Sequence, residues 1–174
     1  EIDISAYHPT LAAQLVDYEF KEEDIHQAFA DMYGVDYKKA KELTFKQLYG
    51  GVFKEYKELE FFKRVEAYIE DISSKDEHVC KSGYVFKTNM KKQKLFNYIL
   101  QNTETYYNVL ILEKIINILK HCKTRIIHYT YDSFLLDVDQ KEQDVVQSII
   151  DVFGEYKFNV KIEAGPHYNS LEKI

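Results

Sequence analysis

The longest regular pattern in this chain is a series of apolar residues at helical spacing between about Lys94 and Cys122. It predicts one long helix, with apolar positions at Ile99, Leu110, Ile111, Ile115, Ile118 and Leu119. Two β-rich runs follow, at 125–130 and 133–138, and they meet at Tyr131-Asp132. This order predicts a hairpin with an acidic residue at its tip. A chain that contains such a helix and such a hairpin has to pack strands against helices.

The remaining patterns are mainly helical. Helices are predicted after Pro9, from about Glu22 to Tyr33, from the N-cap Asp36 to Gly50-Gly51, from about Lys54 to Ile72, and around 145–153. Strands are predicted at about 83–87 and 159–164, and the first residues have the pattern of the end of a strand. The predicted class is therefore α+β, with a small antiparallel sheet packed by long helices and with a helical subdomain.

Composition limits the functions that this chain can have. The 174 residues carry a formal net charge of −6, so phosphate contacts would have to come from locally concentrated lysines. Cys80 and Cys122 are far apart and lack CxxC spacing, which argues against a disulfide framework or a zinc site and favours a reducing compartment. No apolar run approaches the ~18 residues that a membrane span needs. The abrupt start at Glu1 suggests a piece of a larger polypeptide.

Two aspartates occupy positions that suit metal binding. Asp3 follows residues with the pattern of a truncated strand and precedes a helix, whereas Asp132 lies in the predicted hairpin turn. Two such carboxylates, when brought together, can hold two Mg²⁺ ions, because hard cations prefer oxygen ligands. The alternative is that Asp132 caps the turn with its own side chain. Asp137 and Asp139 are further acids, and we expect them to face solvent or a neighbouring lysine.

A second candidate feature is one face of the third predicted helix. Lys41, Phe45 and Tyr49 are four residues apart, so they project from the same face. Lys41 can pair with a triphosphate while a base stacks on the two rings, and Gly50 can let a template strand approach closely. The alternative is that both rings belong to the core and that Lys41 extends to water.

Six segments in the same order resemble the motifs of family A DNA polymerases, the group of bacterial polymerase I and many phage replicases, and the phage type is expected. The match spans nearly the whole chain. Residues 3–15 resemble motif A, and residues 24–26 and 33–34 resemble the D-I-H and F-G that follow it. Residues 41–50 resemble motif B (K-x-x-x-F-x-x-x-Y-G), and residues 97–103 resemble the N-A-P-I-Q-G-T segment. Residues 131–137 resemble motif C, and residues 160–165 resemble the closing strand. Each motif is loose by itself, but six in the correct order are hard to obtain by chance.

The resemblance implies a template-directed DNA polymerase core, a nucleotidyltransferase that depends on two Mg²⁺ ions. The implied roles are as follows: Asp3 and Asp132 as catalytic metal ligands, the Ile4 carbonyl as a further ligand, Lys41 and Lys38 near the triphosphate, Phe45, Tyr49 and His8 around the nucleotide, and Asn97, Gln101 and Gly50 against DNA. The implied division is palm 1–20, fingers 21–92 and palm 93–174.

The resemblance also implies partners and a location. Primer–template DNA and deoxynucleoside triphosphates are the expected ligands, and no membrane is involved. A thumb and an optional exonuclease domain are expected upstream in the same polypeptide. The expected compartment is the cytoplasm of a bacterium or of a phage-infected host cell.

Several positions depart from the family pattern. His8 stands where the family has a Glu that excludes a ribose 2′-hydroxyl, and an imidazole can also block that group sterically. Residues 3–11 are in addition similar to motif A of family B polymerases. Tyr37, Gln93 and Ser133 replace residues that are usually charged, so a catalytically inactive polymerase-like module that binds DNA or other partners is the alternative. The acidic composition favours a third hypothesis, a helical regulatory or protein-interaction domain.

Overall fold

The structure is a computed structural model that describes residues 1–174. Its elements, in chain order, are β1 Ile2–Ile4, α1 Tyr7–Leu15, α2 Ile25–Tyr33, α3 Tyr37–Gly50, α4 Glu60–Ser73, β2 Glu77–Val79, β3 Val85–Lys87, α5 Lys92–Leu119, β4 Arg125–Thr130, β5 Ser133–Asp137, α6 Gln143–Glu155, β6 Val160–Ala164 and β7 Glu172–Lys173. Short 3₁₀ helices lie at Lys54–Tyr56 and Tyr168–Ser170. Both sheets are antiparallel, which confirms the predicted α+β class.

The chain forms two compact units. Residues 1–7 and 105–174 form one, which we call the sheet unit, and residues 8–104 form the other, which we call the helical unit. The boundaries between these units fall inside α1 and α5, whereas the predicted palm and fingers boundaries follow residues 20 and 92. The assignment of palm and fingers stays a prediction.

The sheet unit is built on a five-stranded antiparallel sheet in the order β4-β5-β1-β6-β7. Ile2 of β1 lies opposite Phe134 of β5 and Ile162 of β6, and both Ile2 and Phe134 are buried. The ring of Phe134 packs edge-on against Phe153 of α6, at 5.3 Å between centroids. Because side chains alternate along a strand, Asp3 points away from this core face.

The helical unit has an aromatic core. Phe29 of α2 contacts both Phe61 and Phe62 of α4, and all three rings are completely buried. Helix ends follow the sequence signals: the Asp24 and Asp36 side chains cap the starts of α2 and α3. Gly34 ends α2 with φ of 65°, a left-handed conformation that favours glycine.

The predicted helix from Lys54 to Ile72 is wrong in its first part. The chain makes a 3₁₀ turn at Lys54–Tyr56, and the regular helix begins only at Glu60. The turn places the Tyr56 ring 4.5 Å from the Tyr33 ring, a tertiary contact that a continuous helical pattern does not predict.

Two strands, β2 and β7, were not predicted. Both are very short and carry charged residues, so they have little pattern of their own. They exist because a neighbouring strand pairs with them: β3 with β2, and β6 with β7. The predicted strands at 83–87 and 159–164 correspond to β3 and β6.

No helix of the chain combines the length and the apolar character that a membrane crossing requires.

Candidate functional site

The sheet unit brings Asp3 and Asp132 onto neighbouring segments although they are far apart in sequence. Asp3 lies on β1 opposite Ser133, the residue that follows Asp132 in the β4–β5 hairpin. The backbone N–H of Ile4 donates to the carbonyl oxygen of Asp132 at 2.7 Å. Asp3 is half-buried and Asp132 is exposed, so the pair lies at the surface of this unit.

The hairpin turn is held by a buried asparagine. The Nδ2 of Asn108, on α5, donates to the carbonyl of Tyr131 at 2.8 Å, and the hydroxyl of Tyr7 donates to the Oδ1 of Asn108 at 2.9 Å. Asn108 is only 2% exposed, so each of these bonds is expensive to lose. Tyr131 has φ of 32°, which a bulky side chain rarely adopts, and its bond to Asn108 fixes the carbonyl in that turn. Asn108 thereby positions the backbone next to Asp132.

Few oxygen donors lie around this turn. No group of three or more His, Cys, Asp or Glu side chains in the chain is arranged to hold a metal, so the candidate set consists of two carboxylates and a backbone oxygen. In an antiparallel strand the N–H and C=O of one residue point to the same neighbour, so the Ile4 carbonyl is directed toward the Asp132 segment. Lys161 lies opposite Asp3 on β6. A cross-strand neighbour of opposite charge is the alternative explanation for an aspartate at this position, one in which Asp3 has only a structural role.

The face of α3 that carries Lys41, Phe45 and Tyr49 is distinct from its buried face, which consists of Ala40, Thr44, Gln47 and Leu48. Lys41 is exposed, whereas Phe45 and Tyr49 are half-buried. The two rings are nearly parallel, at 6.1 Å between centroids and 6° between planes. Phe45 also lies against the buried His26, at 6.3 Å between ring centroids, so the alternative that these rings belong to the core stays open.

His8 joins this face to a carboxylate. Its Nδ1 makes a hydrogen bond with the Tyr49 hydroxyl, and its Nε2 lies 3.2 Å from the Oε2 of Glu104. A proton on Nε2 donates to Glu104, which leaves Nδ1 to accept from the Tyr49 hydroxyl when the imidazole is neutral. Burial, and secondly the charge of Glu104, raise the pKa of Tyr49 to about 12. Tyr49 therefore stays a hydrogen-bond donor throughout the neutral range.

Asn97 has a contact that the sequence does not predict. Its Nδ2 donates to the backbone carbonyl of Tyr49 at 3.0 Å, which ties the start of α5 to the end of α3. Its Oδ1 is buried and has no hydrogen-bond partner. Gln101, one turn further along α5, is exposed. The duplex contacts predicted for Asn97 and Gln101 stay predictions.

Gly50 and Lys38 are both exposed. A methyl group built on Gly50 would meet no atom within 4 Å, and its φ is not in the left-handed region, so nothing within the helical unit requires glycine there. The next residue is different: Gly51 has φ of 101°, and a methyl group there would lie 3.3 Å from the Nε2 of Gln93.

Asn108 and Glu104 were missed in the sequence. Asn108 is a polar residue inside the apolar pattern of α5, and Glu104 lies one helical turn before it. A lone asparagine among apolar helical positions is the signal that could have drawn attention to a buried hydrogen-bonding site. Glu104 gives no such signal, because a charged residue on a helix normally faces water.

The candidate residues thus fall into two sets. Asp3, Ile4 and Asp132 belong to the sheet unit, whereas His8, Lys38, Lys41, Phe45, Tyr49, Gly50, Asn97 and Gln101 belong to the helical unit. No known protein-family model matches the chain, and a search of curated proteins finds no significant match.

Proposed function

We propose that this chain is the core of a template-directed DNA polymerase, which transfers nucleotides to a primer 3′-hydroxyl. The observation that carries the proposal is the pairing of the Asp3 and Asp132 segments across β1 and the β4–β5 hairpin, with the Ile4–Asp132 backbone bond at 2.7 Å. Residues from the two ends of the chain share one sheet; Asp3 is half-buried on its central strand, and Asp132 is exposed in the hairpin turn.

In the proposed reaction the two carboxylates and the Ile4 carbonyl would hold the divalent ions. Mg²⁺ bound there would lower the pKa of the attacking hydroxyl and neutralise charge on the leaving pyrophosphate. Asn108 keeps the turn in place, so that Asp132 is presented without reorganisation. The sheet unit supplies this preorganised anionic site.

The helical unit is proposed to bind the incoming deoxynucleoside triphosphate. Lys41 is an exposed cation for phosphate oxygens, and the parallel rings of Phe45 and Tyr49 offer a surface on which a base or sugar can pack. His8 is held by Tyr49 and Glu104, so its imidazole has a defined position from which to exclude a 2′-hydroxyl. Primer–template DNA is the proposed partner of Gly50, Asn97 and Gln101.

The decisive experiment is the Asp132→Asn variant in a primer-extension assay with Mg²⁺. Loss of a metal ligand removes several kcal/mol of transition-state stabilisation, so activity should fall on the order of 10³-fold. The matched control is Asp137→Asn, which removes an exposed acid from the other end of β5 and should leave activity within about twofold. Full activity of Asp132→Asn would contradict the proposal.

The second candidate is an inactive module that retains DNA binding. It is favoured by Ser133, whose hydroxyl donates to the Glu1 carboxylate where the family has an acid of its own. Paramagnetic broadening by Mn²⁺ distinguishes the two functions. Resonances of Asp3 and Asp132 should broaden at low Mn²⁺ in a polymerase and should remain sharp in an inactive module.

A further inference from the structure

We propose that the β2–β3 hairpin and the start of α5 form a second nucleic-acid site, one that binds an unpaired strand by base stacking. The site is separate from the residues assigned above to catalysis and nucleotide binding. We call it the hairpin surface, and we define it by Tyr84 and Phe86 on the hairpin and by Lys94 and Tyr98 on α5. The inference goes beyond the proposed polymerase function and does not depend on it.

Aromatic side chains form a connected row on this surface. The rings of Tyr84 and Phe86 are 4.7 Å apart, and Phe86 stacks on Tyr98 at 6.0 Å with 20° between planes. Tyr84 is 57% exposed and Tyr98 is 38% exposed, so both rings can be reached from solvent. An exposed aromatic row offers faces on which successive bases can stack whatever their sequence.

Positive charge is concentrated in the same segment. Residues 75–98 contain six Lys, one Asp and one Glu, a formal net charge of +4 in a chain whose total is −6. The Nζ of Lys94 lies 5.4 Å from the centre of the Tyr98 ring, so a cation lies directly beside the stacking surface. Lys91, which immediately precedes α5, is also exposed. The partner that fits both features is a polyanion with aromatic groups.

Some of these lysines already have acidic neighbours. Lys75 pairs with Asp71, Lys87 with Glu77, and Lys92 with Glu70. All three pairs are exposed, and exposed pairs contribute little free energy, so phosphate groups can replace the carboxylates at low cost.

The hairpin is held in a fixed position, as a binding site requires. A two-stranded sheet has little stability alone, but Cys80 packs in a buried cluster with Ile72, Leu95 and Ile99. The hydroxyl of Ser82 accepts from the N–H of Tyr84 and donates to the Oδ1 of Asn102 on α5 at 2.7 Å. The exposed rings therefore belong to a preorganised surface, which lowers the entropic cost of binding.

The absence of tryptophan from the chain allows a direct test. In the Tyr84→Trp variant a single indole reports on stacking, and a thymidine oligonucleotide of about 16 nucleotides, the upper size of a compact single-strand site, is the probe. We expect the oligonucleotide to quench the indole fluorescence saturably. The titration is done in EDTA and without nucleotide or primer, so that the proposed catalytic site does not contribute. The matched control is Tyr168→Trp, at a tyrosine of similar exposure, 65%, in the sheet unit; it should show no quenching.

Affinity measurements complete the test. By fluorescence anisotropy with a labelled oligonucleotide, Tyr84→Ala should weaken binding about tenfold, which corresponds to the loss of one stacked base. The double variant Lys91→Glu/Lys94→Glu should weaken binding further and reduce the salt slope by about 1.4 for two phosphate contacts. The control pair Lys120→Glu/Lys123→Glu changes two exposed lysines of the sheet unit and should have the wild-type slope.

Several results would overturn the proposal. One is an unquenched indole, and another is wild-type affinity in both hairpin variants. Equal affinity for a duplex of the same length would show that charge alone accounts for binding, without base stacking. If polyglutamate displaced the oligonucleotide as well as a competing oligonucleotide does, the partner would be an acidic protein instead. The Asp132→Asn variant should bind the oligonucleotide normally, so failure of the polymerase proposal and failure of this one have different outcomes.

Discussion

Asp132 in the sheet unit and Tyr49 in the helical unit are held in different ways. Asp132 is held through backbone carbonyls: its own accepts from the N–H of Ile4, and that of Tyr131 accepts from the side chain of the buried Asn108. The backbone carbonyl of Tyr49 likewise accepts from Asn97, but its side chain has contacts of its own: the hydroxyl bonds to His8, and the ring lies parallel to Phe45. A strand register resists small changes in side chains, whereas a ring contact depends on each partner.

Under the proposed function, this difference corresponds to a division of tasks. A site that holds metal ions needs oxygen atoms in a fixed geometry, which a paired strand and a turn provide. A site that accepts different nucleotides in turn needs side chains that can adjust, and half-buried rings satisfy that need better than completely buried ones. The following variants test whether the backbone-held and side-chain-held regions respond as differently as their contacts predict.

The largest effect is expected for Asn108→Leu. The substitution leaves the Tyr131 carbonyl and the Tyr7 hydroxyl without their buried partner, and the free energy of unfolding should fall by about 3 kcal/mol. Urea unfolding measures this loss. The control is Asn117→Leu, the same change at an exposed position of α5, which should cost less than about 0.5 kcal/mol. Similar losses in both variants would show that Asn108 does not anchor the hairpin turn.

The sequence predicts these two regions unequally. Asp132 could be assigned to a hairpin turn because β-rich runs flank it in the sequence. Asp36 could be assigned as a helix cap because it directly precedes a helical pattern. Both signals come from neighbouring residues in the sequence. The His8–Tyr49–Glu104 contact could not be predicted, because it joins residues from three helices that have no common pattern. Strand β2 was missed for the same reason, since it is polar and forms only by pairing with β3.

A smaller effect is expected at Tyr49 in alkaline solution. Its pKa is raised from 10.0 to about 12, so above pH 10 the unfolded chain loses this proton while the folded protein keeps it. The contribution of Tyr49 to stability is therefore complete below pH 10 and is lost as the pH rises toward 12. Tyr49→Phe should make unfolding less dependent on pH in this interval, as measured by urea titrations at several pH values.

Glu104→Gln separates the two causes of that shift. Removal of the charge should lower the pKa of Tyr49, whereas the part due to burial should remain. The Cζ resonance of Tyr49 in ¹³C-tyrosine-labelled protein reports the pKa directly. Tyr68 is the control, because its pKa is also about 12 through burial but Glu104 is not among the causes. An unchanged Tyr49 resonance in Glu104→Gln would mean that the carboxylate does not act through this contact.

The smallest effect on stability, and the most informative about DNA, is expected at Gly50. Alanine there meets no neighbouring atom and favours the helix, so Gly50→Ala should stabilise the helical unit by about 0.5 kcal/mol. Gly51→Ala should destabilise it, because φ of 101° strains any side chain and the methyl group would approach Gln93. Thermal unfolding should therefore show changes in stability of opposite sign for these neighbouring glycines.

If a template strand passes close to Gly50, the stabilised Gly50→Ala variant should nevertheless bind primer–template DNA more weakly in an anisotropy titration. Because its fold is improved, such a loss can only come from the space that the methyl group takes from the ligand, and unchanged DNA affinity would remove Gly50 from the proposed DNA contacts.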